Sequence, residues 1–293
     1  MGREKNYLII GCDGFVGKAL SKFLVKSEIP FYQTTRRLNN FQKGKLYFDL
    51  SKEAVNWKCP NEVTVAFICA GISSIKKCEE NPSFTRILNV ENTIKLSRNL
   101  VENGIHVIYL SSDMVFDGLS SFSKIDQPLN PKTEYGKQKA EAEKQLLALG
   151  KSITVVRFTK IIDFEMTLLK DWIRTLKKGR TIYPYLDMVL SPVPLKFAIK
   201  ILCDVAKKGI FGIIQVSGKS DITYADFAYR VADILGIQES QINPIKVSDS
   251  NFNLRFKTKY SSLNNDRLIR EFRINPPTLQ NTIEYLKENI SEI

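Results

Sequence analysis

The sequence predicts an α/β fold built on a parallel sheet, and two observations lead to this prediction. Over the first 160 residues, short apolar runs alternate with longer segments of helical periodicity, and the first apolar run ends in a glycine-rich turn. Strands separated by helices form parallel βαβ units with right-handed crossovers. Ligands of such sheets lie beyond the carboxyl ends of the strands, so we expect functional residues in the turns that follow strands.

The elements of the first half are predicted from the period of their apolar residues. Short apolar runs, the first ending at glycine, predict strands at 7–10, 31–35, 45–48, 63–69, 106–110 and 153–158. Longer segments with apolar residues at helical spacing predict helices at 16–26, 84–103 and 133–149. The fourth strand is apolar apart from Thr64, as expected for a buried strand of a parallel sheet.

Beyond residue 160 the alternation loosens and proline-containing turns recur. Helical spacing predicts helices at 166–178, 195–207 and 224–235, and a short apolar run predicts a strand at 212–216. We therefore expect a Rossmann-type doubly wound parallel sheet in residues 1–160, to which a strand at 212–217 returns. Residues 161–293 are expected to form a smaller, mostly helical substrate-binding lobe that is interleaved with the sheet.

Composition excludes several classes of protein. Apolar residues make up 43% and charged residues 25% of the 293, which is typical of a globular chain. No stretch approaches the roughly 20 apolar residues that span a bilayer, and the first apolar run is too short for a signal peptide. The five cysteines form no CxxC pair, which favours a reducing compartment. We expect a cytoplasmic protein without membrane contact.

Charge and histidine content narrow the chemistry further. The formal net charge of +12 comes from basic residues that are scattered rather than clustered with aromatic ones. This favours a basic surface, and no nucleic acid is expected as a partner. The single histidine, His106, argues against histidine-based triads and against multi-histidine metal sites, and no metal is expected. Because His106 precedes an apolar run, we interpret it as a strand-entry residue.

The glycine loop after the first strand predicts a nucleotide site. It reads Gly11-Cys12-Asp13-Gly14-Phe15-Val16-Gly17. In this setting the first glycine allows a tight turn, the second lets the backbone approach a pyrophosphate, and the third lets the helix pack close to the strand. The helix that begins here offers free N–H groups and the positive end of its dipole to phosphates.

The end of the second strand bears on which nicotinamide cofactor binds. Enzymes that use NAD place an acidic residue there to bind the ribose hydroxyl. This chain has Gln33-Thr34-Thr35-Arg36-Arg37, with two arginines and no acid. Guanidinium groups suit a 2′-phosphate, so we predict NADP(H), with NAD(H) as the less favoured cofactor.

A tyrosine and a lysine supply the candidate catalytic group. Tyr135 and Lys139 are four residues apart on a predicted helix and share a face, and Tyr135 alone among eleven tyrosines has a lysine at that spacing. A neighbouring ammonium favours the phenolate, so we expect a lowered tyrosine pKa and a usable general acid. Ser112 follows a buried strand, where its hydroxyl can hold the same carbonyl oxygen. Lys139 can additionally hold the nicotinamide ribose.

Several segments together resemble the dTDP-4-dehydrorhamnose reductase family of the extended short-chain dehydrogenase/reductase superfamily. Segment 111–118 is close to its S-T-D-Y-V-F-D-G signature, and 128–137 resembles its P-x-N-x-Y-G run. Segment 69–82 is similar to its N-A-A…A-E-x-x-P piece, Asn89 to its helix asparagine, and 211–218 and 260–263 to two later motifs. The resemblance covers nearly the whole chain.

This resemblance implies roles for individual residues. Ser112, Tyr135 and Lys139 would be the catalytic triad for reducing a 4-keto group on a nucleotide-linked deoxysugar with NADPH. The cofactor would also contact residues outside the glycine loop. These are Asp49 and Leu50 at the adenine, and Cys69, Ala70 and Gly71 after the fourth strand. The residues in contact with the substrate would be Ser73, Asp113, Met114, Val115, Phe116 and Lys160.

The chain departs from the family pattern where the sugar would lie. Met114 replaces a tyrosine, Lys160 replaces an aromatic residue, and 191–194 keeps only half of an S-P-T-Y motif.

Two alternatives stay open beside the reductase: an NAD-dependent sugar-nucleotide epimerase or dehydratase, and a non-catalytic NADP-binding regulatory subunit of methionine adenosyltransferase. A homodimer is compatible with the fold, although the sequence carries no interface signal.

Overall fold

The computed structural model describes residues 6–37, 45–52, 57–250 and 256–290. Residues 1–5, which entered the signal-peptide argument, lie outside the described residues. The strands are β1 (Asn6–Ile10), β2 (Phe31–Thr35), β3 (Lys45–Tyr47), β4 (Val63–Ile68), β5 (His106–Ser112), β6 (Ile153–Phe158), β7 (Lys160–Ile162), β8 (Val189–Leu190), β9 (Pro192–Pro194), β10 (Gly212–Val216) and β11 (Ile222–Thr223).

The α-helices are α1 (Phe15–Lys26), α2 (Ile75–Glu80), α3 (Pro82–Arg86), α4 (Thr93–Glu102), α5 (Glu134–Leu147), α6 (Thr167–Lys177), α7 (Leu195–Lys208), α8 (Tyr224–Leu235), α9 (Asp266–Phe272) and α10 (Leu279–Glu288). Short 3₁₀ turns occur at Asp113–Val115, Glu239–Gln241 and Val247–Asp249. Within the described residues, no helix has the length and apolar character needed to cross a membrane.

The central sheet has seven strands in the order β10-β6-β5-β4-β1-β2-β3. The pairs β1–β2, β1–β4, β2–β3 and β4–β5 are parallel. The chain winds from β1 toward β3 in one direction and from β4 toward β6 in the other. The prediction of a Rossmann-type doubly wound sheet is therefore confirmed. The carboxyl ends of β1 and β4, where the winding reverses, form the topological switch point at which such sheets bind ligands.

One face of the sheet is covered by a continuous apolar core. It is built from alternate residues of β1, β4 and β5 together with the inward faces of α4 and α5, including Leu8, Ala66, Tyr109, Leu96 and Leu146. Because side chains alternate across a strand, residues 107 and 109 of β5 share this face. Tyr109 thus lies in the core directly beneath the helix that carries Tyr135 and Lys139.

The helix predicted at 84–103 contains a feature that hydrophobic periodicity did not show. The helical stretch runs through α3 into a π-helical segment, Ile87–Asn92, and then into α4. A π-helix bonds residue i to i+5 and widens the turn, and such turns frequently occur at functional sites. Asn89 lies in this segment.

The chain divides into two compact units. The first comprises Met1–Val115, Leu129–Arg157 and Ile199–Ile214, and it holds the switch point. The second comprises Phe116–Pro128, Phe158–Ala198 and Gln215–Ile293. The chain thus passes between the units more often than the predicted boundary at residue 160 implies. Most of α7, which was expected in the substrate lobe, belongs to the first unit.

The second unit contains α6, α8, α9 and α10 and two small sheets, β7 with β9 and β8 with β11. These two-stranded sheets, α2, α9 and α10 were absent from the sequence prediction. The strands of the small sheets have only two or three residues, which is too short for a recognisable alternation of apolar and polar residues.

Candidate active site

The glycine loop has the local geometry that its spacing predicts. Gly11 has φ +91°, and a Cβ there would lie 2.8 Å from the Ala70 backbone nitrogen. A Cβ on Gly17 would lie 2.2 Å from the Gly11 carbonyl oxygen. The turn and the close packing of α1 on β1 therefore both require glycine.

Gly14 differs from these two glycines, because the fold itself does not need it. Its φ is −78°, and an added Cβ would meet only the Gly11 carbonyl oxygen at 3.5 Å, an ordinary contact. Gly14 is the N-cap of α1, makes no side-chain cap bond, and is followed by a first turn without acidic residues. An uncapped helix end beside a glycine with free space suits an anionic phosphate.

The end of β2 is tied to the glycine loop by two threonines. Thr34 Oγ1 accepts a hydrogen bond from the Gly11 amide at 3.0 Å, and Thr35 Oγ1 donates to Asp13 Oδ2 at 2.5 Å. Arg36 and Arg37 follow and are exposed. The sequence reading found no acid at this strand end, but the fold brings the Asp13 carboxylate there. Spacing along the chain could not show this, because Asp13 belongs to the preceding turn.

The residues that the resemblance assigned to adenine have structural partners. Asp49 Oδ1 accepts hydrogen bonds from the Ser51 amide at 3.0 Å and the Ser51 hydroxyl at 2.7 Å. Leu50 is buried, and its carbonyl oxygen accepts from Asn92 Nδ2 at 2.9 Å. Contacts of Asp49 and Leu50 with a cofactor stay a prediction.

Ser112, Tyr135 and Lys139 come together in the first unit. Ser112 ends β5, while Tyr135 and Lys139 lie in the first turns of α5, whose N-cap Thr133 accepts from the Gly136 amide. The Ser112 hydroxyl donates to Asp113 Oδ1 at 2.8 Å and also lowers the pKa of Tyr135 through a hydrogen bond. The predicted serine and tyrosine are thus neighbours.

Gly136 explains how α5 approaches the 3₁₀ turn after β5 so closely. A Cβ at this position would lie 2.2 Å from the Met114 carbonyl oxygen, so any side chain would push the helix away. The glycine after the tyrosine therefore positions Tyr135 beside Ser112. Gly136 lies in the segment 128–137 that carries the resemblance, but spacing alone does not indicate this role.

The expected lowering of the Tyr135 pKa by Lys139 is wrong. Burial raises the pKa of Tyr135 well above its ordinary value, the Asp113 carboxylate raises it further, and only the Ser112 bond opposes them. Burial is also the main reason that the pKa of Lys139 falls to about 8. Burial disfavours the charged form of each group, so it moves an acid and a base in opposite directions. Tyr135 is consequently a protonated phenol at neutral pH.

A polar network behind the triad was missed by sequence reasoning. Asn89, in the π-helical segment, accepts from the Ile72 amide at 2.8 Å and donates to the Ile72 carbonyl at 3.0 Å. Its amide nitrogen also donates to Gln138 Oε1 at 2.8 Å, and Gln138 in turn donates to Thr85 Oγ1 at 2.9 Å. The network ties the loop after β4 to α5.

The loop after β4 carries further predicted site residues. Cys69 and Ala70 are partly buried at the switch point, while Gly71 and Ser73 are exposed. Burial raises the pKa of Cys69 to about 12. Cys69, Ala70 and Gly71 therefore lie at the carboxyl end of a strand adjacent to the glycine loop, where a cofactor is expected.

The predicted substrate residues fall in different parts of the chain. Asp113 and Met114 belong to the 3₁₀ turn after β5 in the first unit, and Val115 ends that turn and is buried. Phe116, also buried, and Lys160, which begins β7 and is partly buried, belong to the second unit. Their contact with a substrate stays a prediction. The described residues contain no group of three or more side chains suited to hold a metal ion.

The sheet order, the glycine loop at its switch point and the serine, tyrosine and lysine beyond β5 form the arrangement that the resemblance to the extended short-chain dehydrogenase/reductase superfamily leads us to expect. The family described as RmlD substrate binding domain matches residues 5–291. The chain belongs to this family, which confirms the resemblance derived from its motifs.

Two relatives that match this chain have different names. The chain is 28% identical over 180 residues to methionine adenosyltransferase 2 subunit beta of Xenopus tropicalis; the match covers 57% of this chain and 53% of that protein, about half its length. It is 25% identical over 234 residues to dTDP-4-dehydrorhamnose reductase of Aggregatibacter actinomycetemcomitans, covering 77% and 78% of the two chains.

Among solved structures, dTDP-4-dehydrorhamnose reductase of Bacillus anthracis in complex with NADP is similar over its whole length. The TM-score is 0.82 at 18% identity, with 100% of both chains covered. At this identity the likeness establishes the fold alone.

Proposed function

We propose that the protein is an NADPH-dependent reductase that converts a 4-keto group on a nucleotide-linked deoxysugar to an alcohol. The observation that carries the proposal is the meeting of Ser112, Tyr135 and Lys139 beyond β5, in the same unit as the glycine loop. Membership of the RmlD family supports the substrate class. The departures at Met114, Lys160 and 191–194 leave the particular sugar and base open.

The glycine loop and the end of β2 support NADP(H) as the cofactor. Gly14 and the uncapped start of α1 would hold the pyrophosphate, and exposed Arg36 and Arg37 would meet a 2′-phosphate. The similar Bacillus anthracis reductase is known in complex with NADP. The Asp13 carboxylate, which Thr35 holds at the end of β2, is the opposing feature, because an acid at this place suits the ribose hydroxyl of NAD(H). When bound, the nicotinamide supplies a hydride to the carbonyl carbon.

The chain's own residues would handle the proton. Tyr135, protonated at neutral pH because its pKa is raised, donates its phenolic proton to the carbonyl oxygen as the C4 centre becomes an alcohol. The Ser112 hydroxyl holds the same oxygen by a hydrogen bond. The Lys139 ammonium stabilises the phenolate that this transfer leaves behind.

Turnover tests the reductase directly. Purified protein is mixed with NADPH and a panel of nucleotide-linked 4-keto-6-deoxysugars, and the loss of NADPH absorbance is followed. The proposal expects oxidation with at least one sugar and no oxidation without sugar. The cofactor assignment expects a preference for NADPH over NADH that falls about tenfold in Arg36→Ala, the effect of one lost charge-assisted bond.

A regulatory subunit is the second candidate, and the 28% identity to methionine adenosyltransferase 2 subunit beta favours it. In that case NADP binds, no sugar is turned over, and the protein forms a complex with a methionine adenosyltransferase catalytic subunit. Size-exclusion chromatography of the two purified proteins distinguishes this outcome from the reductase. A third candidate, the NAD-dependent epimerase or dehydratase, predicts that NAD stays bound through purification.

A further inference from the structure

Lys139 carries its ammonium into the interior of the first unit. Its side chain is 8% exposed, and Nζ donates to the Leu110 carbonyl oxygen at 2.8 Å. A buried ammonium is unfavourable unless other groups compensate for its lost hydration. One carbonyl oxygen satisfies only one of its three donors.

The ring of Tyr109 provides a second contact. Lys139 Nζ lies 4.4 Å from the centre of the Tyr109 ring, closer than the 5.8 Å that separate it from the Tyr135 ring. A lysine ammonium within about 6 Å of a ring centre is attracted by the electron-rich face, and the attraction is strongest where water is excluded. Tyr109 is 1% exposed, so this contact is desolvated.

The hydroxyl group of Tyr109 does not explain why a tyrosine is buried at this position. It is buried and has no hydrogen-bond partner among the described residues. An unsatisfied buried hydroxyl is a cost rather than a gain. The ring is therefore the part of Tyr109 that interacts with Lys139.

Other ionisable groups also face Lys139, and each has its own effect. Glu143, four residues later on α5, raises the Lys139 pKa and is itself paired with Arg157 of β6. Cys78 of α2 and Cys69 after β4 act in the same direction but are thiols whose own pKa values are raised. Burial outweighs all three and keeps the Lys139 pKa near 8. The Tyr109 ring face at 4.4 Å adds to this set, and burial raises the pKa of its own hydroxyl, so the ring stays uncharged where Lys139 titrates.

We propose that Tyr109 is a positioning residue whose ring face holds the Lys139 ammonium against the Leu110 carbonyl, at the place from which Lys139 acts on Tyr135. The contact keeps Lys139 charged inside the core and fixes the direction of its side chain. Its catalytic consequence rests on the proposed reductase function, whereas the contact itself does not.

The titration of Lys139 tests this without any substrate. Protein labelled with ¹³C at lysine Cε is followed by NMR as the pH rises, and the Lys139 signal is assigned by its loss in Lys139→Arg. The expected midpoint is about 8 in the natural sequence. Tyr109→Leu is expected to lower it by about one unit, as loss of a desolvated cation–π contact does, and Tyr109→Phe to leave it unchanged.

Phe67→Leu is the matched control, because Phe67 is a fully buried aromatic residue on β4. It removes a ring from the same sheet and should lower the unfolding midpoint without moving the Lys139 titration. Fluorinated phenylalanines at position 109 keep the shape of the ring and withdraw electrons from its face. They keep the test decisive if Tyr109→Leu does not fold. The Lys139 pKa should fall progressively with each added fluorine.

Two results would overturn the proposal. One is a Lys139 titration that does not respond to fluorination. The other is a shift in Tyr109→Phe as large as that in Tyr109→Leu. If the protein turns over a sugar, the basic limb of its kcat/KM profile should move with the Lys139 titration and be restored by Tyr109→Phe. Absence of turnover with every sugar would refute the reductase and leave the titration result standing.

Discussion

Glu143→Gln is expected to destabilise the protein strongly, because it would remove the negative charge that Glu143 places beside the buried Arg157 guanidinium. Arg157 and Glu143 are 2% and 1% exposed. Arg157 Nε donates to Glu143 Oε1 at 3.1 Å and Oε2 at 3.0 Å, and Nη2 donates to Oε2 at 2.7 Å. Removing one partner of such a pair costs about 3–5 kcal/mol of unfolding free energy.

An exposed pair gives the comparison for this magnitude. Lys200 Nζ lies 2.6 Å from Asp204 Oδ2 within α7, with side chains 52% and 29% exposed. Exposed pairs at this helical spacing contribute about 0.3–0.5 kcal/mol, so Asp204→Asn should change stability by roughly a tenth of the Glu143→Gln effect. Urea unfolding followed by circular dichroism measures both variants.

The double variant Glu143→Leu/Arg157→Met separates an unpaired charge from lost packing. It removes both charges and keeps apolar volume, so it should be more stable than Glu143→Gln alone. A Glu143→Gln effect no larger than that of Asp204→Asn would refute the reasoning. So would a double variant that is no more stable than Glu143→Gln.

The glycine loop and Lys139 lead to two further predictions. Gly14→Ala should leave the unfolding midpoint unchanged, since its Cβ meets nothing closer than 3.5 Å, and yet weaken NADPH binding at least about tenfold by fluorescence titration. If Gly14→Ala lost as much free energy of unfolding as free energy of NADPH binding, the result would count against a pyrophosphate-binding role for Gly14. Because Lys139 is charged below its pKa of about 8, kcat/KM should fall as the pH rises through that value. A profile flat to pH 10 would contradict this.

Much of the fold could be predicted because its elements repeat strong local patterns. The strands of the sheet and the helix Phe15–Lys26 follow from apolar runs and helical spacing that tertiary structure does not override. The π-helical segment Ile87–Asn92 could not be predicted, because its apolar residues keep a helical period while only the backbone bonding changes. The two-stranded sheets of the second unit are too short to leave a pattern.

The features of the candidate site fall into the same two groups, those that a local pattern predicts and those that depend on the folded structure. Ser112, Tyr135 and Lys139 could be read from spacing, because each lies at a strand end or on one helix face. The direction of the Tyr135 pKa could not, since it depends on burial and on the Asp113 carboxylate rather than on the lysine four residues away. Asp13 was predicted as part of the glycine loop, but its position at the end of β2 could not be predicted, because only folding brings the two together.

The most direct test of the account compares the natural sequence with Tyr135→Phe in two measurements on the same preparations. NADPH oxidation with the most active sugar of the panel reports proton transfer, and NADPH fluorescence reports binding. The account predicts that Tyr135→Phe binds NADPH normally and loses at least about a hundredfold in kcat, the contribution of a positioned general acid. A variant that binds NADPH and reduces the sugar at the natural rate would contradict the central claim.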